Sequence, residues 1–168
     1  MARQLWLLRH AEAEPHGTRV DSQRRLTERG EAQARAAGVA LARLGASFDE
    51  VLFSPKVRAH QTAELAAAAW SEEQRGRLSA HAPLAGGFDA ADARTALAGI
   101  GEDGRLLLVG HEPDLSRLAG DLAGGVIDLK KGGLAVLRLE GASGELVVLL
   151  RPREIALIAG AGVPLGGN

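Results

Sequence analysis

The sequence contains no cysteine, which removes disulfides, thiolate metal sites and a cysteine nucleophile together. Long hydrophobic runs are missing too. The apolar stretch Leu5–Leu8 is too short for a signal-peptide core or a membrane span, and no later run approaches about 18 apolar residues. A cytoplasmic protein that does not engage a membrane is therefore expected. Nor is there an excess of one charge: 20 Lys and Arg face 21 Asp and Glu, a net charge of -1. Without a basic field, nothing points to nucleic acid or an anionic lipid surface. No Gly-rich phosphate loop follows a predicted strand, which argues against a nucleotide-binding α/β domain. No repeat, linker or change of composition divides the 168 residues. One domain over 1–168 is expected, long enough to bury a proper core.

What is present alternates strand and helix. Leu5-Trp6-Leu7-Leu8 reads as a short strand buried on both faces. The polar stretch Glu12–Arg25 has no apolar period and reads as a loop, long enough to suggest function. Thr27 is the expected N-cap of a helix over Glu28–Leu44 that stops at Gly45, with Ala32, Ala36, Val39, Ala40 and Leu44 as its apolar stripe. Gly30, poor in helix propensity, implies close backbone approach in its first turn. Glu50–Phe53 is the second strand, and Ser54-Pro55 reads as N-cap and first residue of a helix to about Trp70. A short strand over Leu78–Ala82, a helix over Asp89–Ile100, a buried strand over Arg105–Val109 and a helix opened by Pro113 follow. Leu134–Leu139 and Glu145–Arg151 form a predicted β-hairpin, Pro152–Ile158 a last short helix, and the Gly-rich tail to Asn168 is expected to fray. The fold class is α/β: a three-layer α/β/α sandwich, its mostly parallel sheet flanked by helices and ended by an antiparallel hairpin.

Three predicted strand-to-helix junctions carry chemistry: Arg9-His10, Ser54-Pro-Lys-Val-Arg58 and Gly110-His111. In a parallel sheet all three open at the same edge, where ligand crevices form. Arg58 lies in the first turn of its helix, and helical side chains tilt toward the N-terminus, so its guanidinium can reach over that crevice. The helix N-terminus favours an anion as well. Two guanidiniums and two imidazoles converging there make a site for a tetrahedral dianion. The remaining histidines, His16, His60 and His81, read as surface or core residues. His60 and Glu64 form an i, i+4 surface pair, with no third ligand to suggest a metal. Taken alone, Arg24 and Arg25 are a solvated loop pair.

Leu8-Arg9-His10-Ala11-Glu12, Leu26-Thr27-Glu28-Arg29-Gly30, Ser54-Pro55-Lys56-Val57-Arg58-Ala59-His60-Gln61-Thr62 and Val109-Gly110-His111 resemble, in order, the motifs of the histidine phosphatase superfamily, with its phosphoglycerate mutase-like fold. The short chain and the run Asp21-Ser-Gln-Arg24-Arg25-Leu-Thr look most like its SixA-type phosphohistidine phosphatases. The resemblance implies that His10 is a transiently phosphorylated nucleophile and that Arg9, Arg58 and a protonated His111 form the phosphate pocket. It further implies that Arg24 is an additional phosphate contact, that Asp21 is a loop residue nearby, and that no metal or other cofactor is needed. Larger members carry a proton-donating carboxylate on an inserted segment. Here Glu12, Glu14, Asp21, Asp89, Asp92 and Glu112 are the candidates, and the sequence does not choose among them.

The expected function is hydrolysis of phosphohistidine on a partner protein, with a monomer as the default assembly. A small-molecule phosphomonoesterase on the same scaffold is the nearest alternative. A phosphoprotein-binding module without turnover is a third, disfavoured because a pure binder has no need of His10.

Overall fold

A computed structural model describes residues 2–160; the tail expected to fray lies outside them. Six strands form one sheet in the order β3-β2-β4-β1-β5-β6. The strands are β1 Gln4–Arg9, β2 Glu50–Phe53, β3 Leu78–Ala80, β4 Arg105–Gly110, β5 Leu134–Glu140 and β6 Ser143–Leu150. The first four are parallel, whereas β5 and β6 form the expected antiparallel hairpin and β5 lies antiparallel to β1. The helices are α1 Glu28–Arg43, α2 Val57–Ala67, α3 Glu72–Arg75, α4 Ala90–Ala98, α5 Asp114–Ala123 and α6 Pro152–Ile158.

Strand alternation explains why Leu5–Leu8 is apolar without a break. Leu5 and Leu7 join a core with Ala93 and Leu97 of α4 and Leu115 and Leu118 of α5. Trp6 and Leu8 join a second core with Ala37 and Leu41 of α1, Ala59 and Ala63 of α2 and Ile155 of α6. β4 repeats the pattern, Leu106 and Leu108 on one side and Leu107 and Val109 on the other. The neighbouring strands β1 and β4 therefore send their chains to helices on opposite faces. Such a parting opens a crevice at the carboxyl ends of the strands.

Two glycines let backbones meet. A Cβ on Gly38 would lie 1.9 Å from the Ala66 carbonyl oxygen, so α1 and α2 pack at the closest range their backbones permit. A Cβ on Gly30 would lie 1.9 Å from the Glu12 carbonyl oxygen, the close approach expected at that position. Thr27 caps α1 as expected, its hydroxyl accepting from the Gly30 N–H at 3.0 Å.

The sequence reading of α1 misplaced the stripe. Ala34, Ala37, Gly38, Ala40 and Leu41 are buried, while Ala32 and Leu44 are exposed. In an alanine-rich helix the apolar pattern fits several faces about equally, and the glycine contact with α2 decides the rotation. The start of α2 also differs. Its N-cap is Lys56 and its helical residues begin at Val57, because Ser54 continues the strand by donating its N–H to the Val109 carbonyl at 2.9 Å. α2 ends at Ala67, short of Trp70, whose indole donates to the Gly38 carbonyl. α3, which the sequence did not disclose, is a single turn capped by Ser71. Among the described residues no helix is long and apolar enough to cross a membrane.

Candidate active site

Arg9, His10, Arg58 and His111 meet at the carboxyl ends of β1, β2 and β4, as the junction pattern requires. His10, Arg58 and His111 are buried. The end of β1 is fixed by its backbone: the His10 N–H donates to the Gly110 carbonyl at 3.0 Å, and the His10 carbonyl accepts from Gly132 at 2.9 Å. Arg9 spends its Nη1 on the Leu129 carbonyl at 2.9 Å, while its buried Nε has no hydrogen-bond partner.

The His10 ring has one nitrogen held and one free to react. Nδ1 lies 2.8 Å from the Ala11 carbonyl oxygen, which can only accept, so Nδ1 carries the proton. The lone pair is then on Nε2, 3.4 Å from Arg58 Nε. Burial pushes the His10 pKa down to about 3; the Ala11 hydrogen bond opposes this, and His111, Arg58 and Arg9 add to it. The imidazole is neutral at ordinary pH, the form a nucleophile needs. The backbone after His10 is itself pinned, since the Ala11 N–H donates to the Thr62 hydroxyl at 3.1 Å and Thr62 donates to the Arg58 carbonyl at 2.7 Å.

His111 sits 5.2 Å from His10, ring centre to ring centre. Burial, followed by the charges of Arg58 and Lys56, lowers its pKa to about 3. In the free chain it is therefore neutral rather than protonated, because a cation beside Arg58 and Lys56 in a desolvated pocket is unfavourable. Its Nε2 is 2.7 Å from the Ser54 hydroxyl, and its buried Nδ1 has no hydrogen-bond partner. Ser54, expected as the cap of α2, lies two residues before the cap and sets its hydroxyl against both the Lys56 N–H and His111.

Asp21 and Arg24 meet at the rim of the pocket, beside Arg58. The Asp21 carboxylate is bound by Lys56 Nζ at 3.0 Å, Arg24 Nη2 at 2.8 Å and Arg58 Nη2 at 3.3 Å. Arg58 Nη1 also donates to the Asp21 carbonyl at 2.7 Å. Hydrogen bonds from Lys56 and then Arg24 hold the Asp21 carboxyl far below the usual carboxylate range. It is ionised, so it orients cations and has no proton to give. Arg24 is buried, donating to Asp21 and to the Glu14 carbonyl. Lys56, Thr62 and, beyond its expected capping role, Ser54 are site residues that the chain order does not single out. All three lie inside the motif quoted around Arg58, and Thr62 stands four residues from Arg58 on the same helix face.

Most candidate acids are committed elsewhere. Glu12 accepts from the Thr27 hydroxyl at 2.9 Å and lies 3.5 Å from Arg29. Glu14 binds Arg19 and the Arg25 N–H. Asp89 and Asp92 form the capping box of α4. Glu112 differs: its Oε1 is buried without a hydrogen-bond partner, and its charge is felt at Arg9. Among the described residues, no three His, Asp or Glu side chains are grouped so as to hold a metal. His60 pairs with Glu64 at 3.0 Å and stacks on Phe53, and His16 is exposed.

The arrangement offers one neutral nucleophilic nitrogen and several donors around it, with guanidinium charge on two sides. Such a pocket can bind a phosphoryl group and accept it on His10. Comparison with known proteins gives the family and the fold. The sequence model of the histidine phosphatase superfamily (branch 1) matches residues 5–77. An uncharacterized protein of Picosynechococcus sp. PCC 7002 is 34% identical over 89% of this chain and 97% of its own length. The structure of the protein histidine phosphatase SixA complexed with tungstate superposes with a TM-score of 0.76 at 23% identity, covering 90% of this chain and 99% of that one. The alpha-ribazole phosphatase of Shigella flexneri superposes at 0.64 with 23% identity, covering 89% and 96%. At these identities the superpositions speak for the fold.

Proposed function

The chain belongs to the histidine phosphatase superfamily, and from that footing we propose that it hydrolyses phosphohistidine on a protein through a phosphorylated His10. The observation that carries the reading is the His10 ring: Nδ1 tied to the Ala11 carbonyl, Nε2 unprotonated and set beside Arg58. The substrate ring takes a proton from solvent on its unphosphorylated nitrogen. Nε2 then attacks phosphorus in line, and the P–N bond breaks with its electron pair going to the leaving nitrogen, so that neutral imidazole departs. Water then attacks phospho-His10, releasing inorganic phosphate and restoring the imidazole. Arg9 Nε, Arg58 and His111 hold the equatorial oxygens, where charge spreads in the transition state. Asp21 and Arg24 keep the guanidinium of Arg58 in place.

The leaving group supports phosphohistidine. An alkoxide must be protonated as it departs, whereas imidazole, whose conjugate acid has a pKa of about 6.5, leaves readily. Five of the six candidate carboxylates are held in caps, ion pairs or backbone contacts away from that task. The likeness in fold to SixA favours the same class. A small-molecule phosphomonoesterase is the second reading, favoured by the buried, unpartnered Oε1 of Glu112.

The test compares kcat/KM for a phosphohistidine peptide, an aryl phosphate and an alkyl phosphate at one pH, in wild type and Glu112→Gln. The expected order has the peptide first and the alkyl ester far behind, with Glu112→Gln leaving that order unchanged. Comparable turnover of the alkyl ester, lost in Glu112→Gln, would put the phosphomonoesterase first.

A further inference from the structure

We propose that Ser54 sets the tautomer of His111, so that an uncharged imidazole presents an Nδ1–H donor to the phosphoryl group. The inference rests on the reading of this crevice as a phosphoryl pocket and explains how His111 serves it without being a cation.

The argument is a count of donors and acceptors. Ser54 is fully buried, and its hydroxyl oxygen accepts the Lys56 N–H at 3.3 Å. A hydroxyl has one proton to donate. Among the described residues the partner in reach of that proton is His111 Nε2, at 2.7 Å. If Nε2 carried its own proton and donated to Ser54, the serine proton would be buried with nowhere to go, at the cost of an unmade hydrogen bond. The better satisfied arrangement has Ser54 donating to an unprotonated Nε2, which leaves one ring nitrogen unpartnered in the free chain, whereas the alternative leaves that nitrogen and the serine proton unpartnered together. The ring proton is then on Nδ1, the nitrogen that is buried and unpartnered among the described residues. Ser54 thus leaves a neutral ring with a spare N–H donor, which on this proposal serves the phosphoryl group.

The surroundings discourage the alternative of a permanent imidazolium. Arg58 and Lys56 approach from the α2 end, Arg24 from the 21–24 turn and His10 from β1. Asp21 opposes them, yet it is already shared among Lys56, Arg24 and Arg58. A neutral donor avoids adding another positive charge to this group. Burial keeps the ring uncharged in the free chain. Ser54 touches His111 and not the substrate, so it is a positioning residue.

The experiment combines nitrogen-15 NMR of histidine-labelled protein at pH 7 with activity on an aryl phosphate from pH 5 to pH 8. In wild type, His111 should show a protonated Nδ1 and an unprotonated Nε2. Ser54→Ala should move the ring toward the Nε2–H form and lose about 10- to 100-fold in kcat/KM at pH 8, since a donor aimed at developing charge typically contributes about 10²–10³. That loss should persist down to pH 5, because His111 stays uncharged across this range, and Ser54→Thr should restore both tautomer and rate. A wild-type ring in the Nε2–H form overturns the proposal. So does an active Ser54→Ala, or a loss of rate with the tautomer unchanged, which would mark a merely structural serine. If Ser54→Ala does not fold, the wild-type and Ser54→Thr spectra decide. Wild type inert toward every phosphate, with the expected tautomer present, would instead count against the functional reading.

Discussion

Arg58→Met separates what the pocket costs in stability from what it contributes to catalysis. Arg58 is buried, donates twice to Asp21, and its pKa is lowered chiefly by burial. Its removal loses two charge-assisted hydrogen bonds, each about 1.5–3 kcal/mol. Against that, replacing a buried ion by an apolar side chain of similar volume is often neutral or favourable by about 1–4 kcal/mol. Asp21 keeps Lys56 and Arg24 as partners, so its charge is not stranded. The loss exceeds the gain at mid-range, so the unfolding free energy should fall by about 2 kcal/mol, well short of unfolding the chain. Activity should suffer far more. The guanidinium that faces His10 Nε2 is lost, and kcat/KM should fall by at least about 10²–10³. Denaturant unfolding and turnover of an aryl phosphate measure the two quantities on the same preparation, with Arg35→Ala on the exposed face of α1 as control. Tungstate provides a third reading. At 100 times its Kd it should stabilise wild type by about 2.7 kcal/mol, and much less in the variant. A variant within tenfold of wild-type activity, or one that unfolds while Arg35→Ala is sound, would refute the reasoning.

His10→Ala should fold and lose turnover, and brief mixing of wild type with labelled substrate followed by alkaline denaturation should trap phosphate on His10; label on another residue rejects the nucleophile. Gly30→Ala places a Cβ 1.9 Å from the Glu12 carbonyl oxygen, so the segment after His10 must shift. A loss of about 1–3 kcal/mol, as for overpacked positions, should appear in denaturant unfolding, with kcat/KM reduced as well; unchanged values would mean the backbones are not in contact. Stability should also fall with acid. His10 and His111 have pKa values of about 3 when folded against 6.5 as the ordinary value, so between those pH values the unfolded chain binds more protons. Their contribution is complete above about pH 6.5 and drains away toward pH 3, at up to about 1.4 kcal/mol per pH unit for each ring. The unfolding free energy of wild type minus that of His10→Ala, followed from pH 7 to pH 4, should therefore decrease; a constant difference would contradict the burial of a neutral ring.

The alternation of strand and helix could be read from the chain because its signals are local. Leu5–Leu8 and Leu106–Val109 are apolar without interruption since each strand is covered on both faces. Thr27, Asp89 and Pro152 mark helix starts through their own backbone neighbours. Arg9, His10, Arg58 and His111 were legible for the same reason: each follows a strand, and parallel strands bring their ends to one edge. Gly30 foretold a close approach, though not the partner. What a one-dimensional pattern does not contain is rotation and partnership. The buried stripe of α1 depends on where Gly38 meets Ala66 in another helix, and an alanine-rich pattern carries too little contrast to specify it. Ser54 looks locally like a cap, yet its hydroxyl is taken by His111, 57 residues away. That Asp21 gathers Arg24, Lys56 and Arg58 around its carboxylate is likewise invisible in the chain order. Protonation is also out of reach of the sequence, because the charge on His111 depends on burial and on cations from two other segments. The chain by itself determined which groups stand at the edge of the sheet; only the tertiary contacts decided which of their nitrogens carry protons, since hydrogen-bond partners and desolvation exist only once distant segments meet.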